Sequence, residues 1–164
     1  MKVEFLTYSG EMPPGCPEGV WSELCRTGLP SVRVNIFTPA KRPVLISAGS
    51  EGTQADGILL GYSRENVELY LEFRSGNVLL LWPQEEGRAV VNTSLSAFRE
   101  SLVQVDARYP FYPKDRDLDM AQDAEEALRR ILTEIDGAAT ADPDGYWSSF
   151  LEDVAVGDYA ATAL

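Results

Sequence analysis

The chain has 164 residues, 45% of them hydrophobic and 24% charged, which suits one domain with a buried core and argues against disorder. Its formal net charge is −12 and it contains no histidine. That count excludes Ser-His-Asp and Cys-His catalysis, histidine general bases and the common His-containing zinc and iron sites, while carboxylate-only or lysine chemistry survives it.

In chain order, Val3 to Tyr8 is a short apolar run with strand character, ended by the Pro- and Gly-rich loop Gly10 to Gly15. Pro17 to Thr27 reads as a helix with Val20, Trp21, Leu24 and Cys25 on one face, Pro17 in its first turn and Gly28 as its stop. Val32, Val34 and Ile36 alternate with Arg33, Asn35 and Phe37, which predicts a strand. Val44 to Ser47 is a further strand candidate, followed by a polar loop up to Asp56. Gly57 to Tyr62 reads as a strand. Val67 to Phe73 alternates strictly, with four apolar residues on one face and Glu68, Tyr70 and Glu72 on the other. Arg74 to Asn77 supplies turn chemistry, Val78 to Trp82 the return strand, and Arg88 to Val91 one more. This pattern predicts an antiparallel meander with one buried face.

Three helices should follow. The first is capped by Asn92-Thr93-Ser94 and carries Leu95, Phe98, Leu102 and Val105 at helical spacing. The second, Asp117 to Ile135, places Ala121, Ala124, Leu128, Ile131, Leu132 and Ile135 on one side, with acids early and arginines late, as the helix dipole favours, and Gly137 beyond its end. The third starts at Asp142-Pro143 and carries the stripe Tyr146, Trp147, Phe150, Leu151 and Val154. The fold class is therefore α+β: a single domain over 1–164 with an acidic helical last third, about 117–164.

The charge is unevenly placed. Residues 1–116 hold 14 acids and 12 bases, whereas residues 117–164 hold 12 acids and only Arg129 and Arg130. Such a surface repels nucleic-acid phosphates and anionic lipid, so neither is an expected partner. It attracts a basic partner and speeds encounter with it, or else it is a solvated helix face that keeps the protein soluble. No stretch reaches the roughly 18 apolar residues that span a bilayer. Glu4 interrupts what would be the apolar part of a signal peptide, so the cytoplasm is the expected compartment. Reduced thiols are expected there at Cys16 and Cys25, which have no second pair to make a disulfide framework or metal knuckle.

No phosphate loop, dinucleotide fingerprint or nucleophile elbow is present, so no catalytic residue, cofactor or metal site is assigned. Glu68 and Glu72 on one strand face would stand about 13 Å apart, beyond the spacing of glycosidase carboxylate pairs. Asp115, Asp117 and Asp119 alternate like the first ligands of a calcium loop, but Met120 occupies the position that needs glycine. Glu85-Glu86 falls in a hairpin loop. Tyr70 and Trp82 are candidates for an exposed aromatic patch, against the alternative that Trp82 closes a buried strand. Tyr146, Trp147 and Phe150 fit a core stripe better than a binding box.

Several of these runs carry a resemblance. The segment Asp56-Gly57-Ile58-Leu59-Leu60-Gly61-Tyr62, the strand end Glu72-Phe73-Arg74-Ser75-Gly76-Asn77-Val78, and the helix entry Val91-Asn92-Thr93-Ser94-Leu95-Ser96-Ala97-Phe98 resemble the SUKH superfamily of bacterial immunity proteins. Tyr146-Trp147-Ser148-Ser149-Phe150-Leu151 with Gly157-Asp158-Tyr159 is similar to the tail of its fourth immunity group. The resemblance spans roughly residues 29 to 159, and residues 9–28 do not match the family's opening helix.

It implies a central, mostly antiparallel sheet of about five to six strands flanked by helices. It also implies a non-catalytic role in polymorphic toxin systems, binding and neutralising a cognate toxin, often a nuclease or nucleic-acid deaminase. Such a toxin binds phosphates and tends to be basic, in keeping with the acidic last third. The expected toxin-binding surface comprises Asp115, Asp117, Asp119, Asp123, Glu125 and Glu126, with Tyr70 and Trp82. The other readings are a regulatory adaptor of the same fold and a histidine-free carboxylate enzyme.

Overall fold

The computed structural model describes residues 3–47, 55–82, 87–115 and 117–159. The polar loop before Ala55 and the Glu85-Glu86 loop lie outside them.

The first strand, β1 (Glu4–Leu6), pairs antiparallel with β2 (Leu29–Ser31), and between them runs helix α1 (Glu18–Arg26), which buries Trp21 and Leu24. Gly28 ends α1 with φ +73°, and a β-carbon there would overlap the Leu6 carbonyl oxygen, so only glycine fits between the helix end and β1. The Tyr8 hydroxyl donates to the Ala40 carbonyl at 2.9 Å, and burial pushes its pKa up to about 12. Cys16 is buried and Cys25 half-buried, both as free thiols. Burial, with nearby Cys25, raises the Cys16 pKa.

The strand expected from Val32 does not form. Residues 32–36 are a bent crossing between β2 and β3 (Phe37–Pro39), even though Val34 and Ile36 are buried. The cause is a tight turn, with the Ile36 N–H donating to the Val34 carbonyl at 2.7 Å, and an anchor at Arg33. The Arg33 backbone N–H donates to Asp106 Oδ1 at 2.6 Å, and its Nε donates to Oδ2 at 3.2 Å. Asp106 is buried, so a charge-assisted pair replaces the ladder bonds that a strand would have made.

The main sheet runs β3, β5 (Gly57–Ser63), β6 (Glu68–Glu72), β7 (Val78–Leu81), β8 (Arg88–Asn92), all antiparallel, and β4 (Leu45–Ile46) shares the outer edge of β5 with β3. Gly61 stands opposite Pro39 in the β3–β5 pairing, and a β-carbon there would meet the Thr38 carbonyl oxygen and the Phe37 ring. One face supplies Ile58, Leu60, Leu69, Leu71, Val78, Leu80 and Val91 to the core. The other face is not a simple solvent face: Leu59, Tyr70 and Leu79 stand in register across β5–β7 and are 3%, 0% and 5% exposed.

Helix α2 (Leu95–Arg108) starts at Ser94, whose side chain accepts from the Ala97 N–H at 3.1 Å. It buries Leu95, Phe98, Leu102 and Val105, and Phe98 meets Phe37 edge-on at 5.2 Å. Arg99 reaches back to α1, donating to the Gly28 carbonyl at 3.2 Å and to Glu23. Helix α3 (Leu118–Ile135) is followed by a 3-10 turn (Gly137–Thr140) and α4 (Tyr146–Ala155), which buries Trp147, Phe150, Leu151 and Val154. The last helix starts four residues later than Asp142, because Asp142 closes its own turn: its Oδ1 accepts from the Asp144 N–H at 3.0 Å and its carbonyl from Ser148 Oγ at 2.6 Å.

A buried polar network ties these helices to the sheet. Asp136 accepts from the Thr93 N–H at 2.7 Å, Asn92 Nδ2 at 3.0 Å and the Ala138 N–H at 3.2 Å. The Trp147 indole N–H donates to Asn92 Oδ1 at 2.9 Å. Burial alone would raise the Asp136 pKa, but the hydrogen bonds from Thr93, Asn92 and Ala138 outweigh it and hold the carboxyl below its ordinary value.

Candidate partner-binding surface

The acidic run opens α3. Asp117 is its N-cap, with Oδ1 accepting from the Met120 N–H at 2.9 Å. Glu125 is half-buried and accepts from Arg129 Nε at 2.6 Å, an i,i+4 pair. These two carboxylates are therefore occupied by the helix itself. Asp115, Asp119, Asp123 and Glu126 are exposed and have no cationic partner among the described residues. Asp119, Asp123 and Glu126 follow at spacings of four and three, so they share one stripe, while Ala121, Leu128 and Leu132 fill the buried side. Leu118 and Met120 stand among them at 60% and 48% exposure. The result is an anionic helix edge with two apolar side chains at its tip. Among the described residues no three acidic or cysteine side chains are grouped to hold a metal ion.

The two aromatic candidates part company. Tyr70 is fully buried between Leu59 and Leu79, so it contributes no exposed surface. The alternating pattern of β6 suggested a half-wet strand, but both faces of its centre are covered. Burial raises the Tyr70 pKa against the opposing pull of Arg88. Trp82 lies just past β7, half-buried, and lines a cleft of about 310 Å³.

Sequence reading missed this cleft, because its parts are far apart in the chain. One wall is the β5–β6 turn, Ser63 to Val67, where Ser63 Oγ accepts from the Glu65 and Val67 N–H groups at 3.3 and 3.2 Å. The other wall is the turn before α4 and the helix itself, with Asp144, Tyr146, Phe150 and Asp153. Arg64 spans the two, its Nη1 3.2 Å from Asp153 Oδ2, and it also bonds Tyr159. The Tyr146 hydroxyl donates to the Ile36 carbonyl at 2.7 Å, and burial pushes its pKa up.

The sequence matches the SUKH-4 immunity protein family over residues 15–153. The chain belongs to this family. No curated protein and no solved structure matches it. The SUKH-4 match takes in α1, which the sequence resemblance left outside, and it ends before Gly157-Asp158-Tyr159. It spans the main sheet, the exposed carboxylates of the α3 edge and the walls of the cleft as far as Asp153. The family name points to toxin immunity. No helix among the described residues is long and apolar enough to cross a membrane.

Proposed function

We propose that this SUKH-4 protein binds a cognate toxin domain and neutralises it without catalysing a reaction, and that the toxin is a basic protein of the nuclease or nucleic-acid deaminase type. Family membership supplies the immunity role. The observation that carries the electrostatic part is the set of exposed carboxylates at Asp115, just before α3, and at Asp119, Asp123 and Glu126 on it, which have no cationic partner among the described residues. A toxin that grips phosphates presents cations, and an acidic helix edge both accelerates its capture and competes with its nucleic-acid substrate. Leu118 and Met120 add apolar contact at the tip of that edge. The protein would act where the toxin's nucleic-acid substrate lies, in the cytoplasm.

Co-expression tests this reading. A toxin-like domain encoded beside this gene is induced with and without the SUKH-4 protein, and growth and co-purification are followed. Restored growth with a co-purifying complex is the expected result. Growth arrest despite good expression removes the pairing and favours a regulatory adaptor of the same fold.

A further inference from the structure

The cleft between the β5–β6 turn and α4 has the composition of a side-chain socket. Of its charged lining residues among those described, Glu65, Asp144 and Asp153 are acidic and only Arg64 is basic. Arg64 is already held by Asp153 and Tyr159, which leaves Glu65 and Asp144 without a cationic partner among the described residues. Both sit in hydrogen-bonded turns: the Glu65 N–H donates to Ser63 Oγ and the Asp144 N–H to Asp142 Oδ1, which limits the backbone freedom to be lost on binding. Trp82 lines the same space and is only half-buried.

We propose that this cleft receives one arginine side chain of the bound toxin, a reading that rests on the toxin-binding function above. A guanidinium is planar, stacks on an aromatic face and forks onto carboxylates, which suits a Trp82 wall with Glu65 and Asp144 at the rim. A lysine ammonium is a strongly hydrated point charge and gains less from the indole. A neutral side chain would crowd two carboxylates away from water with no compensating charge, and an acidic one would be repelled. Tryptophan and arginine are also the residues most often found at the energetic centre of an interface.

The probe is N-acetyl-arginine methylamide, titrated into isotope-labelled protein by NMR and compared with its citrulline counterpart, which keeps the shape and loses the charge. The arginine compound should shift the Trp82 indole N–H saturably, with a dissociation constant in the millimolar range. The citrulline compound should not saturate. In Glu65→Gln/Asp144→Asn the arginine affinity should fall at least about tenfold. Both side chains are exposed, so the rest of the spectrum should be retained.

Equal shifts from arginine and citrulline, no saturable Trp82 shift, or unchanged affinity in the double variant overturns the socket. Tighter saturation by the lysine analogue overturns its assignment to a guanidinium. Arginine binding at Trp82 without growth rescue in the co-expression test would remove the toxin reading and leave the socket. Rescue with no arginine effect would do the reverse.

Discussion

Asp136 is the group whose removal should expose how the helical layer is fastened to the sheet. Asp136→Ala leaves Asn92 Nδ2, in a fully buried residue, without its acceptor, and frees the N–H groups of Thr93 and Ala138. A stranded buried donor costs about 1–3 kcal/mol, and N–H groups that water can reach cost less, so the substitution should remove about 3 kcal/mol. That is a sizeable share of the roughly 5–15 kcal/mol that stabilises a typical domain. Asn92→Ala should cost a similar amount, because it strands the Trp147 indole N–H in the core and opens a cavity. Since Asn92 bridges Asp136 and Trp147, the two substitutions should couple by about 1 kcal/mol or more in a double-mutant cycle.

The Asp136 carboxyl titrates below its ordinary value in the folded chain. Its contribution is therefore complete above the unfolded carboxylate range and fades as pH falls through the lower folded value. Urea denaturation of both single variants and the double variant, at neutral pH and in steps down through the acid range, reads both quantities. The wild type should lose its advantage over Asp136→Ala only at acid pH. A cost below about 1 kcal/mol at neutral pH, strict additivity with Asn92→Ala, or a gap that does not narrow in acid would refute this account of the network.

Three further outcomes are expected. Asp106→Ala strands the Arg33 N–H and removes the partner of its Nε, while Nη2 keeps the backbone carbonyls of position 106 and Tyr109; it should cost about 1–3 kcal/mol by thermal or urea denaturation, with hydrogen exchange rising first at residues 32–36. Gly61→Ala forces a β-carbon against the Thr38 carbonyl oxygen and should destabilise the β3–β5 pairing by about 2 kcal/mol or more; a cost within about 0.5 kcal/mol in urea would show that β3 can step aside. Asp115→Asn/Asp119→Asn/Asp123→Asn/Glu126→Gln should change stability by no more than about 1 kcal/mol, since only Asp119 lies in the first helical turn. In stopped-flow mixing with the toxin it should slow association and flatten its dependence on salt. An unchanged rate across salt concentrations would acquit the α3 edge.

Where local chemistry decides, the sequence was readable. Ser94 and Asp117 cap the two long helices at the expected ends, and the apolar periodicity of 95–105 and 121–132 marks the faces that the structure buries. The segment at 32–36 misled because alternation reports burial, not pairing. Val34 and Ile36 are buried in a turn whose shape is set by Asp106, 73 residues from Arg33. Tyr70 misled for a related reason: a strand with three successive buried residues, Leu69 to Leu71, has two covered faces, which a one-faced alternation template cannot represent. Of the expected surface, the α3 carboxylates were placed by position on a helix, a local property. The engagement of Glu125 by Arg129 was not legible, because that pairing depends on side-chain rotamer. The cleft was out of reach altogether, being assembled from a turn near residue 64, the end of β7 and the two flanks of α4.

The two proposed contact regions would act on different steps of one binding event. Exposed carboxylates on a helix edge work at a distance and are screened by salt, so they govern how fast a basic partner arrives. A cleft lined by carboxylates and an indole acts only once a side chain is inside it, so it governs how long the partner stays. Neutralising the α3 edge should therefore change the association rate and leave the dissociation rate nearly untouched, whereas Glu65→Gln/Asp144→Asn should raise the dissociation rate with a smaller effect on arrival. An immunity protein needs both properties: capture must outrun the toxin's encounter with nucleic acid, and release must be slower than the life of the cell's response. The cleft rests on α4 and β7, tied to the core through Trp147, Phe150 and Leu80, while the α3 edge stands on the stripe Ala121, Leu128 and Leu132.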